Sequence, residues 1–157
     1  MKIYFWSVGK AHEPYVKSGI ELFTKRIGYY FPVEWKLISS PKNAASLSVN
    51  DLKKAEAKSI IRLLRPEDTL IVLDEKGKQV SSEQLSQMIQ KKANESSKNI
   101  VFLIGGAYGL GDKIKEKAFF TWSLSTLVFP HQLVRLILAE QIYRACTIAK
   151  NENYHHQ

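Results

Sequence analysis

The sequence predicts an α/β fold, with a mainly parallel sheet and helices on both faces. Three observations support this. Strand-like and helix-like segments alternate five times along 157 residues. Two segments, Asp68–Asp74 (DTLIVLD) and Asn99–Ile104 (NIVFLI), are nearly unbroken apolar runs. Runs of that length and composition suit central strands covered on both faces. No repeat and no linker rich in proline, glycine or serine divides the chain, so one domain is expected over residues 1–157.

The elements follow in order. Lys2–Val8 reads as a strand. Glu13–Tyr30 reads as a helix with Pro14 in its first turn, where a missing N–H costs nothing. Val33–Ser39 reads as the second strand. Pro41–Ser48 is a loop, and Ser48 with Asp51 has the spacing of an N-terminal cap for a helix to Leu64. Asp68–Asp74 is the third strand, after which Gly77 is expected to turn the chain. Ser81 with Gln84 caps a helix to Glu95. Asn99–Ile104 is the fourth strand and ends at Gly105-Gly106. A short helix spans Asp112–Lys117. Trp122–Val128 (WSLSTLV) is a fifth strand or an extended loop. Pro130 opens a long final helix that runs to Lys150.

Composition excludes several classes. A hydrophobic fraction of 45% and a charged fraction of 24% are ordinary for a globular chain. Collagen, a disordered tail and a disulfide scaffold are ruled out. The single cysteine, Cys146, has no internal partner, and its apolar helical setting reads as a core thiol. A reducing, cytoplasmic home is expected. Lys and Arg number 23 against 15 Asp and Glu, giving a net charge of +8. Such a domain favours polyanions, nucleic acid first. The apolar N-terminal run ends at Gly9-Lys10 with no cleavage pattern. The apolar final helix carries Arg135, Glu140 and Arg144, so no bilayer span is expected.

In a sheet of this kind, ligands sit beyond the carboxyl ends of the strands. Those ends are Leu73-Asp74, Ile104-Gly105-Gly106 and Leu127-Val128-Phe129. The segment Gly105-Gly106-Ala107-Tyr108-Gly109-Leu110-Gly111 has neither the spacing nor the position of a dinucleotide fingerprint, and no phosphate loop is present. Glycines there still permit close approach of backbone to a ligand. The histidines His12, His131, His155 and His156 have no metal-ligand spacing, so no metal site is expected. No serine-nucleophile elbow occurs.

The final helix is apolar on most sides, which predicts burial in the core or against a second subunit. Glu140 and Arg144 lie four apart and can pair along one face. The tail Asn153-Tyr154-His155-His156 offers an aromatic ring and imidazoles for stacking or proton transfer.

Together these residues resemble the SPOUT class of S-adenosyl-L-methionine (SAM) methyltransferases. Within it they resemble the minimal subfamily that methylates N3 of a pseudouridine in 23S rRNA. The matching pieces are Val8-Gly9-Lys10, Leu73-Asp74 with Gly77-Lys78, and Phe102–Gly106 with Gly109-Leu110. They continue with Trp122–Ser125, Phe129–Arg135, Glu140–Ala145 and Tyr154-His155. They span the chain in order. The subfamily usually has proline before the Tyr-His pair, where this chain has Asn153.

The resemblance implies a trefoil knot near the C-terminus, SAM as cofactor and a homodimer packed through the knotted region. It implies 23S rRNA in the assembled ribosome as substrate, with no DNA or membrane partner. Mapped by position, SAM contacts fall on Leu73, Gly105 and the loop Leu124, Ser125, Thr126, Leu127, Val128 and Phe129. Candidate general bases are His155, His131 and Tyr154, with His155 first. Arg144 is placed to hold a phosphate or stabilise an imidate. Lys17, Lys25, Lys113 and Lys115 are candidate phosphate contacts. A non-catalytic RNA-binding module and a SPOUT tRNA methyltransferase are the alternatives.

Overall fold

The computed structural model describes residues 1–156. Five strands form one sheet in the order β2-β1-β4-β3-β5, and every neighbouring pair is parallel. The strands are β1 (Lys2–Val8), β2 (Val33–Ile38), β3 (Asp68–Lys78), β4 (Asn99–Ile104) and β5 (Phe120–Trp122). The helices are α1 (Pro14–Ile27), α2 (Val49–Leu63), α3 (Ser82–Asn94), α4 (Asp112–Lys117) and α5 (His131–Ala149). The two apolar runs become the two strands between β1 and β5, as their composition requires.

Each face of the sheet carries its own core. On one face Ile3, Phe5, Ile100, Phe102 and Ile71 pack with Ile27 of α1, Leu85 and Ile89 of α3, and Leu138 and Ile142 of α5. On the other, Trp6, Val8, Val72, Val101 and Leu103 pack with Ala57 and Ile60 of α2 and Ile114 of α4. Alternating side chains of one strand therefore serve opposite layers. Both serine caps form. The Ser48 hydroxyl accepts from the Asp51 N–H at 3.1 Å. Ser81 and Gln84 exchange two hydrogen bonds, at 3.2 and 2.9 Å.

Two expectations change. The fifth strand is Phe120–Trp122, not Trp122–Val128. Beyond Trp122 the serines turn inward on the local backbone: Ser123 Oγ donates to Ser125 O and Ser125 Oγ accepts from Leu127 N–H. Such local bonds compete with a sheet ladder. Gly77 is not a turn but lies inside β3, where a Cβ would stand 2.6 Å from Thr121 O. The strand slips register between Leu73 and Lys78, and only a residue without a side chain lets β5 close over that slip.

α5 is covered largely within its own chain, one of the two settings expected of it. It packs against α1 and α3, and none of its residues is exposed. Its buried cation is Arg135 rather than Arg144: Arg135 is 1% exposed. No described helix is long and apolar enough to cross a membrane.

Candidate active site

A cavity of about 400 Å³ opens beyond the carboxyl ends of β3 and β4. Leu73, Ile104, Trp122, Leu124 and Val134 supply apolar wall. The glycine-rich loop after β4 and the segment leading into α5 close two sides. Lys53, Asp74, Lys76 and Lys115 form a charged rim. Of the positions expected to contact a cofactor, Leu73, Gly105, Leu124, Ser125, Leu127, Val128 and Phe129 line this cavity. Thr126 does not; the turn closed by Ser125 leaves it exposed to solvent.

The glycine loop is shaped by what lies behind it. A Cβ on Gly105 would meet Leu110 Cγ at 2.8 Å, and one on Gly106 would meet both Glu56 carboxylate oxygens at 3.0 Å. Gly109 has φ +80 and bridges back to Gly106. The loop therefore presses backbone, not side chains, between α2 and the cavity. Lys115 Nζ lies 2.6 Å from Asp74 Oδ2. Burial alone would raise the Asp74 carboxyl, but Lys115 and the Lys76 N–H outweigh it and hold it below its ordinary value.

His131, at the start of α5, also lines the cavity. Its Nδ1 is buried and has no partner among the described residues. The other three catalytic candidates lie elsewhere, in a cluster between α3 and α5. Glu140 Oε1 receives Arg144 Nε at 3.0 Å, Arg144 Nη2 at 2.5 Å and the Tyr154 hydroxyl at 3.1 Å. Arg144 also stacks 4.8 Å from the Tyr154 ring centre. Arg144 Nη1 lies 3.4 Å from His155 Nδ1, and His155 Nε2 lies 2.7 Å from Glu83 Oε1. Arginine can only donate, so the ring proton sits on Nε2 and is given to Glu83. The Ser81 hydroxyl first, then backbone N–H and His155, pull the Glu83 carboxyl down to about 2. Within one chain, then, His131 joins the cavity, while none of Arg144, Tyr154 and His155 is among its lining residues.

Two buried charged residues escape the sequence reading. Arg135 donates to Ser7 Oγ, to Lys10 O and to His12 Nδ1 at 2.9, 2.8 and 3.2 Å. Glu56, 6% exposed, lies under Gly106 and is pushed up by burial against an opposing hydrogen bond from Ser40. The available signal was a lone charge within an apolar helical face, which alone does not say what the charge touches. Cys146 is a buried thiol, pushed up to about 12 by burial.

The profile of the family described as "Predicted SPOUT methyltransferase" matches residues 1–155. The chain is 47% identical over 156 residues to the ribosomal RNA large subunit methyltransferase H of Cytophaga hutchinsonii, covering 99% of this chain and 100% of that one. It is 42% identical over 157 residues to the enzyme of the same name from Flavobacterium psychrophilum, with both chains covered completely. The corresponding Geotalea daltonii enzyme is 38% identical over 156 residues, 99% of this chain and all of its own. Among solved structures, the tRNA (m1G37) methyltransferase from Aquifex aeolicus superposes with a TM-score of 0.56 at 12% identity. That match covers 100% of this chain and 76% of the other, and shows a shared fold.

Proposed function

The chain belongs to the SPOUT methyltransferase family, and from that premise we propose that it methylates N3 of a pseudouridine in 23S rRNA, using SAM and acting as a cytoplasmic homodimer on assembled ribosomes. The observation that carries this reading is the cavity, which gathers seven of the eight expected cofactor positions from three separate stretches of chain. It lies within the roughly 300–1,000 Å³ typical of small-molecule sites. Its apolar walls and close backbone suit an adenine ring. The buried, unpartnered His131 Nδ1 is the kind of atom a polar ligand group satisfies. The residues therefore fit the cofactor.

Leu73, Leu124 and Val128 would hold its apolar faces, and the Gly105 backbone would approach it closely. When bound, the cofactor supplies an electrophilic methyl group. The chain's own task is to orient the base and remove the N3 proton of a weakly acidic imide. His155 takes that proton on Nδ1, which requires the ring to leave Arg144. Arg144, held by Glu140, then faces the imidate as a fixed positive charge. A site closed to water strengthens that attraction.

These residues do not line the cavity of their own chain. In a homodimer the cluster of one subunit would complete the cavity of the other. A second copy is supported by exposed apolar side chains on α1 and the turn after it, where Tyr15, Leu22 and Tyr29 are 61%, 45% and 78% exposed. The cavity rim adds Leu127 and Val128, at 67% and 79%. The trefoil knot belongs to the same proposal.

The test is methyl transfer from labelled SAM to ribosomes lacking the modification, beside free large subunits and naked 23S rRNA. Label on one pseudouridine, strongest in assembled ribosomes, is expected. Label on tRNA instead would select the tRNA enzyme. Neither label nor SAM binding would select a non-catalytic RNA-binding module. His155→Ala should slow transfer while leaving SAM affinity unchanged; an unaltered rate removes His155 from the mechanism.

A further inference from the structure

The charge of this protein is not spread evenly in its pairing. On α1, Lys17 lies 3.9 Å from Glu21. On α3, Lys91 and Lys92 lie 3.9 and 2.8 Å from Glu95. On β1, Lys2 lies 2.7 Å from Glu34. On α2 the unpaired cations line up. Lys54, Lys58 and Arg62 are all exposed, and among the described residues none makes a salt bridge. They recur every fourth residue, so they form one stripe with steps of about 6 Å and a length of about 12 Å.

The acids of α2 do not offset the stripe. Asp51 sits in the first turn, where it complements the helix dipole. Glu56 is buried and turned inward beneath Gly106. Burial also raises its carboxyl above the ordinary value.

The helix that carries the stripe also borders the cavity. Lys53, on the inner side of the same helix, lines the rim together with Lys76, Lys115 and the acids Asp74 and Glu75. A Cβ on Gly111 would meet Lys53 O at 3.5 Å and Ala57 Cβ at 3.7 Å, so α2 is the wall behind the glycine loop. The opposite layer has the contrasting surface, the exposed Tyr15 and Leu22 of α1 with Tyr29 in the turn after it.

We propose that the outer face of α2, through Lys54, Lys58 and Arg62, is a docking surface for the phosphate backbone of the RNA strand that leads into the cavity. The inference rests on the functional reading above. Cations at regular spacing on one straight edge suit a repeating row of phosphates. They position the strand without reading its bases. The stripe itself has no apolar residue to insert into a lipid surface.

The test compares two triple variants that lose the same charge. One is Lys54→Gln/Lys58→Gln/Arg62→Gln. The other is Lys91→Gln/Lys98→Gln/Lys150→Gln, away from α2. Binding to naked 23S rRNA and to ribosomes is measured across a salt series, beside methyl transfer and SAM binding. For the α2 variant, the slope of log affinity against log salt should fall by about two units, as expected for three single-strand phosphate contacts. Its KM for ribosomes should rise while kcat and SAM affinity hold. The second variant should match the wild type. Equal changes in both variants, or none in either, would overturn the proposal. Loss of ribosome binding with naked RNA binding intact would assign the face to a ribosomal protein and overturn it as well. If the wild type binds RNA but transfers no methyl group, the functional reading fails while the binding arms still decide the surface.

Discussion

Arg135 Nε donates to the Ser7 hydroxyl at 2.9 Å, joining α5 to the end of β1 across 128 positions of sequence. The same guanidinium holds Lys10 O and His12 Nδ1. It therefore pins the loop after β1 against the first turns of α5, next to the segment that closes the cavity. All three acceptors are neutral groups, so the guanidinium lies buried without a hydrogen-bonded carboxylate.

Replacing this residue should be among the most costly changes to the fold. Arg135→Ala removes a large buried side chain and leaves the buried Ser7 hydroxyl and two part-buried acceptors without their donor. A loss of about 3–5 kcal/mol is expected from denaturant unfolding. Arg135→Lys cannot reach all three partners and should lose about 1–3 kcal/mol. The His12 imidazole, held down first by burial and then by the Arg135 charge, should titrate closer to its ordinary value in Arg135→Met, as read by NMR.

His131 separates binding from stability. Its Nδ1 is buried and unpartnered among the described residues. His131→Leu removes that dry polar atom at similar volume, so the free protein should be unchanged or more stable by about 1 kcal/mol. Calorimetric SAM affinity should fall roughly tenfold, the equivalent of one lost hydrogen bond. Unchanged affinity would mean that this nitrogen does not face the ligand.

Gly77→Ala tests the slipped register of β3. A methyl group there would stand 2.6 Å from Thr121 O and 2.8 Å from Trp122 C, both backbone atoms. Neither can move without lifting β5. Destabilisation of about 1–3 kcal/mol is expected in thermal or denaturant melts, with protection from hydrogen exchange lost first at Phe120–Trp122. The comparison is Gly109→Ala, which meets no neighbouring atom but must keep φ +80. Its cost should be backbone strain alone, about 1–2 kcal/mol.

Cys146 sets a pH dependence with a definite sign. The thiol has an ordinary value of 9.0 and is pushed up to about 12 in the fold. Between those values the unfolded chain loses its proton while the folded chain keeps it. Stability should therefore decline as pH rises from about 9 towards 12, and not below. Alkylation of native protein should stay slow up to pH about 10, while the urea-unfolded chain reacts quickly from about 9. Cys146→Ala should remove this part of the alkaline loss.

Much of the fold was legible from local chemistry. The runs DTLIVLD and NIVFLI specify buried strands because nothing in them tolerates water. Ser48 and Ser81 mark helix starts because their hydroxyls satisfy N–H groups within three residues. The cavity was legible in outline, because strand ends and glycines are local signals and the family resemblance supplied the rest. Thr126 lies outside the cavity because the turn closed by Ser125 leaves it exposed. The fifth strand was misplaced because WSLSTLV has strand-like composition but serines that bond their own backbone.

Chain order and composition by themselves determined the α/β alternation, the parallel sheet, the unpaired thiol and the basic surface, since each depends on neighbours in sequence or on simple sums. Only the tertiary structure decided that Arg135, not Arg144, is the buried cation, that Gly77 lies under β5, and that Glu56 backs the glycine loop. It alone separated His131 from the cluster of Arg144, Tyr154 and His155. Those outcomes depend on which distant groups arrive within about 3 Å, and hydrogen bonding and packing act over that range whatever the separation along the chain.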